Sequence, residues 1–238
     1  MATIRGNSSS NTLQGTDGFD RLFGYASDDW LYGRGGNDEL YGGLGADRLF
    51  GGRGDDELDG GRGADRIFGN MGGDEIDGDR GNDRLWGGKG SDELDGDRGN
   101  DRIWGGNGND ELDGDRGRDS LWGGRGRDEL DGGRGADSLS GGLGRDVLEG
   151  GAGDDVLTGG RGSDVFEFER DDGNDRITDF GRGADRIELD DFSRAQVQAV
   201  IDGARQDGDD LVLSLSPDTS VVLQDFSAAD LDLSDFVL

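Results

Sequence analysis

The chain of 238 residues contains no cysteine, no histidine and a single proline. Without cysteine there is no disulfide framework and no thiol chemistry. Without histidine there is neither an H-E-x-x-H zinc site nor a Ser-His-Asp triad. No G-x-S-x-G elbow and no Walker loop occurs either. Apolar residues are scarce, at 30%, and no run is long enough to cross a membrane. Met1 to Asn11 lacks the apolar stretch of a Sec signal, so export, where it occurs, needs another address. Basic residues number 25 against 55 acidic ones, a formal charge of -30 that argues against a nucleic-acid partner. Carboxylates are plentiful enough for glycosidase chemistry, but the periodic ones are better employed elsewhere, and no enzyme is expected.

What the chain has in excess is glycine, 51 residues of it, and aspartate at a fixed interval. Asp20, Asp29, Asp38, Asp47, Asp56, Asp65, Asp74, Asp83, Asp92, Asp101, Asp110, Asp119, Asp128, Asp137, Asp146, Asp155 and Asp164 follow one another every ninth residue. Leu, Ile or Phe stands two places after each. A glycine stands five places before each, from Gly15 to Gly159, and another two places before, replaced once, by Ser27. The unit is G-x-x-G-x-D-x-U-x, with U apolar. A flexible Gly/Asp linker would not need an apolar residue at every ninth position, so the period means one structural unit stacked on itself.

In this motif the chain resembles the RTX (repeats-in-toxin) family of calcium-binding proteins over residues 11 to 168. The resemblance implies an all-β fold, a right-handed parallel β-roll in which two units make one coil of 18 residues. It divides the chain into a lead or cap at 1–13, the calcium-binding roll at 14–168, and a capping and secretion segment at 169–238. It also implies a secreted protein, free in the extracellular space or associated with the cell surface, that folds on binding calcium.

The residues suit that chemistry. G-x-x-G-x-D makes a turn in which glycine reaches positive φ at little cost. The remaining x-U-x makes a short strand whose U side chain points inward. Each turn offers one carboxylate and backbone carbonyls, here those of Gly33, Gly42, Gly51, Gly60, Gly69, Gly78, Gly87, Gly96, Gly105, Gly114, Gly123, Gly132, Gly141 and Gly150. An all-oxygen set fits calcium, and fits magnesium less well. Pairing each aspartate with the one a coil later gives up to about 15 ions, whose charge of about +30 offsets the formal -30. The first turns depart from the consensus at Thr16, Asp17, Phe19, Tyr25 and Ser27, so that end should bind weakly or act as a cap. One inward side chain per nine residues, Leu22 through Phe166, is a thin core, and calcium should have to supply the rest of the folding free energy.

The outward positions repeat every 18 residues, not nine. One sheet should carry Glu39, Glu57, Glu75, Glu93, Glu111 and Glu129 beside Asp59, Asp77, Asp95, Asp113 and Asp131. The other should carry an arginine ladder, Arg48, Arg66, Arg84 and Arg102, beside an aromatic ladder of Phe50, Phe68, Trp86, Trp104 and Trp122. That ladder either stabilises its sheet, with cation–π help from the arginines, or offers a face for self-association, glycan or cell-surface contact. The acidic columns call for relief by Arg62, Arg80, Arg98, Arg116 and Arg134, by further cations or by a basic partner. A channel-forming role, known among RTX proteins, is a further alternative, weakened by the lack of a hydrophobic domain.

After Phe166 the period breaks. Val165–Phe168, Arg176–Phe180 and Arg186–Leu189 read as strands, with loose echoes of the repeat at Asp175 and Asp185. Ser193 with Gln196 reads as a capping box opening a short helix, with Val197, Val200, Ile201 and Ala204 on one face. Strands 211–216 and 220–224 flank the turn signal Pro217-Asp218. The closing Asp235-Phe236-Val237-Leu238 resembles the uncleaved signal of type I secretion, implying that machinery as a partner during export.

Overall fold

The protein, as a computed structural model, is described over residues 1–181, 184–190 and 192–237. Two long sheets, parallel throughout the roll, face each other, and the inward-facing strands of the roll alternate between them; a short three-stranded ladder of turn segments runs beside them, and antiparallel pairing enters only at the C-terminal end. The first sheet has eleven strands, from Ala2–Arg5 and Asp20–Ala26 through Glu93–Asp95 to Val165–Phe168 and Arg186–Leu189. The second has thirteen, from Thr12–Gln14 and Trp30–Gly35 through Arg84–Lys89 to Asn174–Ile177 and the C-terminal strands. Neighbours in a sheet are one coil apart, Leu85 on Ile103 and Leu94 on Leu112, so the coil is 18 residues long. The molecule is a parallel β-roll of about ten turns. Its right-handed course is the one that parallel crossovers favour.

The nine-residue period dictates this arrangement through its glycines. Gly90 sits at φ +133°, and a side chain there would overlap the carbonyl oxygen of Gly72 one coil away. Only glycine permits that approach and that backbone conformation together. Where glycine is missing, Ser27 is held at φ 70°. Between turns, the inward residues Leu22 through Phe166 are at most 1% exposed and form a single file between the sheets. Residues 1–13, expected as a lead or cap, pair as coil: Ala2–Arg5 lies on 20–23 and Thr12–Gln14 on 30–32.

Beyond Phe168 the coil lengthens. Arg176 pairs with Val156, and Arg186 with Val165. The strand expected at 176–180 runs instead from Asn174 to Ile177. The cause is Asp179, whose carboxylate accepts the N–H groups of Gly159 and Gly160 at 3.0 and 2.9 Å and draws the backbone out of the ladder. Phe180 then turns inward against Phe166 and Phe226.

Helix α1, Arg194–Asp202, opens as expected, with the Gln196 side chain accepting the Ser193 N–H at 2.9 Å. Val197 and Val200 are buried, and Ile201 and Ala204 pack against the core. The hairpin is also present, Asp210–Ser214 antiparallel to Ser220–Leu223, with the second strand laid parallel on Asn174–Ile177. Phe236 is buried and the Val237 N–H donates to the Ile187 carbonyl at 2.9 Å, so this tail closes the first sheet. Leu238, the last residue of the secretion-type motif, lies outside the described residues.

Candidate metal centres

The seventeen repeat aspartates fall into two rows, one along each edge of the roll, and none is more than 3% exposed. Each turn aims its carboxylate back along the roll. Oδ1 accepts the backbone N–H of the aspartate one coil earlier, at 2.6 Å for Asp101 on Asp83 and 3.1 Å for Asp110 on Asp92. Oδ2 of every aspartate from Asp29 to Asp164 is buried and has no hydrogen-bond partner. Sixteen such oxygens in a row are a systematic feature of the turn, because a buried carboxylate oxygen without a donor is costly.

Burial pushes these carboxyls above the ordinary 3.8, to about 7 for Asp56 and Asp101 and to about 8 for Asp65, and neighbouring aspartates add to the shift. Ionised, each needs a positive partner, and protein cations do not provide it. Only three ion pairs join described residues, Arg21–Glu39, Arg176–Asp210 and Arg205–Asp207, and none touches a repeat aspartate.

The glycines five places before the aspartates leave room beside these oxygens. A Cβ on Gly114 would lie 2.8 Å from the Gly132 carbonyl oxygen and 3.1 Å from Asp119 Oδ2. The carbonyls of Gly33, Gly42, Gly51, Gly60, Gly78, Gly96, Gly114, Gly123, Gly132 and Gly150 all stand against such a cradle. At Gly69, Gly87, Gly105 and Gly141 the nearest group is the carboxylate of the same turn, Asp74, Asp92, Asp110 or Asp146. Carboxylate and carbonyl oxygens converging on a space kept clear of side chains form a donor set that fits calcium.

The first turn differs. Asp20 Oδ2 accepts both the N–H and the hydroxyl of Thr16, at 2.6 and 2.7 Å, so protein groups occupy it. Asn11 fills the place before Asp29, giving its N–H to Asp29 Oδ1 at 2.6 Å and accepting the Asn7 N–H. Reading only aspartates missed it. The available signal was its spacing, nine residues before Asp20 and five after Gly6.

On the second sheet, Tyr32, Phe50, Phe68, Trp86, Trp104 and Trp122 stack in one column, with centroids 4.4–4.9 Å apart and planes within 6° of parallel. The ring faces are therefore occupied by each other, and the edges point outward. Arg48 lies over Trp30, 4.7 Å from its centroid, but the arginines beside the interior rings have no free face to cover.

On the first sheet, the exposed glutamates and half-buried Asp59, Asp77, Asp95, Asp113 and Asp131 stack in register. Burial and mutual repulsion raise Asp59, Asp77 and Asp95 to about 6. The arginines expected to relieve them form a ladder of their own, Arg62, Arg80, Arg98, Arg116 and Arg134, and among described residues none makes an ion pair with the acidic columns.

A sequence model of the family described as RTX calcium-binding nonapeptide repeat (4 copies) matches residues 5–40, 34–67, 41–76, 68–103, 104–139 and 131–166. Among solved structures, the extracellular lipase LipA from Serratia marcescens is similar at 20% identity, over 98% of this chain and 40% of the lipase, with a TM-score of 0.33. The AlgE6R3 subunit of the Azotobacter vinelandii mannuronan C5-epimerase is similar at 28% identity, over 63% of this chain and 78% of that subunit, with a TM-score of 0.23. The chain thus spans two fifths of the lipase's length. No curated protein matches it.

Proposed function

The chain belongs to the RTX calcium-binding nonapeptide repeat family, and from that premise we propose that it is a secreted protein whose roll folds on extracellular calcium and serves a structural or interaction role without catalysis. The observation that carries this reading is the unbroken series of buried, partnerless Oδ2 atoms from Asp29 to Asp164. Bound in the turns, calcium supplies the positive charge those oxygens lack. The repeat aspartates and the glycine carbonyls hold it, up to about 15 ions, and the glycines keep the space open.

Without that charge, stacked carboxylates and a formal charge of -30 oppose a core one side chain wide. Low calcium would keep such a chain unfolded, and an unfolded chain is the form that threads a narrow export channel. Calcium at roughly 0.1 to 1 mM, the range of extracellular modules, would fold it outside. Circular dichroism with light scattering decides this: a β-sheet spectrum and compact radius that persist in EDTA would overturn it. Export through a type I machine is tested by deleting residues 169–238, which should leave the protein inside the cell.

The aromatic column fits a stabilising role better than sugar binding, since a pyranose stacks on a ring face and the faces are already used. Among described residues, no helix is long and apolar enough to cross a membrane.

A further inference from the structure

We infer that Asp175, outside the nonapeptide repeats, completes a further calcium site with Asp155 at the seam between the roll and its C-terminal cap. This rests on the calcium-binding reading of the roll. Asp175 is 1% exposed, and its Oδ1 accepts the Asp155 N–H at 3.0 Å, as Asp155 accepts that of Asp137 at 2.7 Å. Its Oδ2 is buried and has no partner. The interval to Asp155 is 20 residues, and the family match stops at residue 166, so the repeat pattern does not reach this position.

The setting nevertheless copies a repeat turn. Gly173 stands two places before Asp175, at φ +111°, and a side chain on it would overlap the Gly153 carbonyl, as in the turns below. The Arg176 N–H donates to the Asp155 carbonyl at 2.9 Å, which continues the ladder. Above, the cap closes the row. Val221 faces Asp175 in the register, and the Ser220 N–H takes the Gly173 carbonyl at 2.9 Å. Among the described residues the register puts Val221, not a carboxylate, next on this edge, so Asp175 is its last acidic position.

The opposite edge provides the contrast. Asp185 is also buried, and its Oδ1 accepts the Asp164 N–H at 3.1 Å. Its Oδ2, however, accepts the Gly181 N–H at 3.0 Å. One row therefore ends on a protein donor, as it began at Thr16, while the other ends on an oxygen with no donor. A hard cation is what satisfies such an oxygen in an all-oxygen turn. Because the cap strand Ser220–Leu223 is laid directly on the strand that carries Asp175, an ion there fastens the cap to the roll.

The test compares the full chain with Asp175→Asn and Asp185→Asn, with calcium as the only divalent ion. Bound ions are counted by native mass spectrometry, and hydrogen exchange is followed at Ser220–Leu223. Asp175→Asn should hold a single ion fewer than the unmodified chain, and exchange at Ser220–Leu223 should rise about tenfold or more. Asp185→Asn should leave the ion count unchanged. An unchanged count in Asp175→Asn overturns the inference. Should that variant fail to fold, a crystal structure of the calcium-loaded unmodified chain decides. A metal about 2.3–2.6 Å from Asp175 Oδ2 supports the site, and a water or protein donor in its place removes it. An unmodified chain that binds no calcium in any turn brings down the reading of the whole roll, and is recognised by empty repeat turns as well as an empty seam.

Discussion

The roll and the cap are one continuous pair of sheets held by different means. In the roll each unit adds one inward side chain and one buried carboxylate, so apolar burial and uncompensated charge grow together. In the cap, Phe168, Ile177, Phe180, Ile187, Leu189, Val197, Val200, Leu211, Leu213, Val221, Leu223 and Phe236 gather from a helix, a hairpin and the tail into a broad cluster. The cap is built as an ordinary small domain is, by several elements burying one face each. The roll is built by repetition, with a buried, partnerless carboxylate oxygen in each unit from Asp29 to Asp164. The same sheets pass, within about one coil at the seam where Asp175 sits, from turns whose buried carboxylate oxygens lack protein partners to a region packed by apolar side chains.

Calcium removal should have the largest effect and should separate the roll from the cap. In EDTA the roll should lose its β-sheet spectrum entirely, because the sixteen partnerless oxygens then face one another without charge compensation. A titration followed by far-UV circular dichroism should show one cooperative transition, and sedimentation should show the chain expanding as calcium is withdrawn.

A glycine substitution in each region sharpens the contrast. Gly90→Ala meets the Gly72 carbonyl while holding φ +133°, so strain and overlap combine. The expected loss is more than about 3 kcal/mol, and a raised calcium midpoint would report it. Gly208→Ala in the cap, at φ +66° with nothing within 4 Å of the new methyl, should cost only about 1 kcal/mol. Equal costs at the two positions would contradict a roll built on close coil contact.

The roll was legible in the sequence because its physics is local and periodic. One aspartate, one apolar residue and two glycines per nine residues set the coil length, the inward file and both carboxylate rows. What escaped was whatever left the period. Asn11 carries the amide in place of the acid; Thr16, Asp175 and Asp185 could be named from the spacing, but not which carboxylate oxygens the folded turns close, as Thr16 closes Asp20 and Gly181 closes Asp185. Side-chain direction escaped too. Spacing placed the aromatics in a column and the loop arginines beside the acids, but it did not show that, among the described residues, Arg62 and its successors form no ion pair with the acidic columns.

Acidity should act on the roll in opposite senses with and without calcium. In the metal-free roll the repeat carboxyls from Asp29 onward stand above 3.8, Asp47 at about 6, Asp119 at about 7 and Asp65 at about 8. Between those values the folded chain binds more protons than the unfolded one, so stability falls as pH rises from near 4 to near 8, and acid favours the metal-free roll. With calcium present, protons compete for the same oxygens. The calcium midpoint should therefore be higher at pH 6 than at pH 8, by about tenfold or more given these shifts. A midpoint that does not move would mean that carboxylates other than the buried rows hold the ion.

The aromatic column, whose rings lie outside the core file, should matter less to folding than calcium does. Trp86, Trp104 and Trp122 are half-buried and each is stacked on its neighbour, with centroids 4.8 Å apart. A stacked pair contributes about 0.5–1.5 kcal/mol beyond its buried area. Replacing all three with threonine, which is comfortable in strands, removes the stacks from Phe68 upward and leaves every carboxylate and turn glycine in place. Calcium-dependent folding should survive with a loss of about 1.5–4.5 kcal/mol for the three stacks, and the sedimentation mass should not change. Because ring edges rather than faces point outward, affinity for polysaccharides should not change either. A fall in mass or in glycan binding at constant stability would show that the column makes a contact after all, through its edges or through the outer face of Trp122, which lies over Ser140 in the register rather than over another ring.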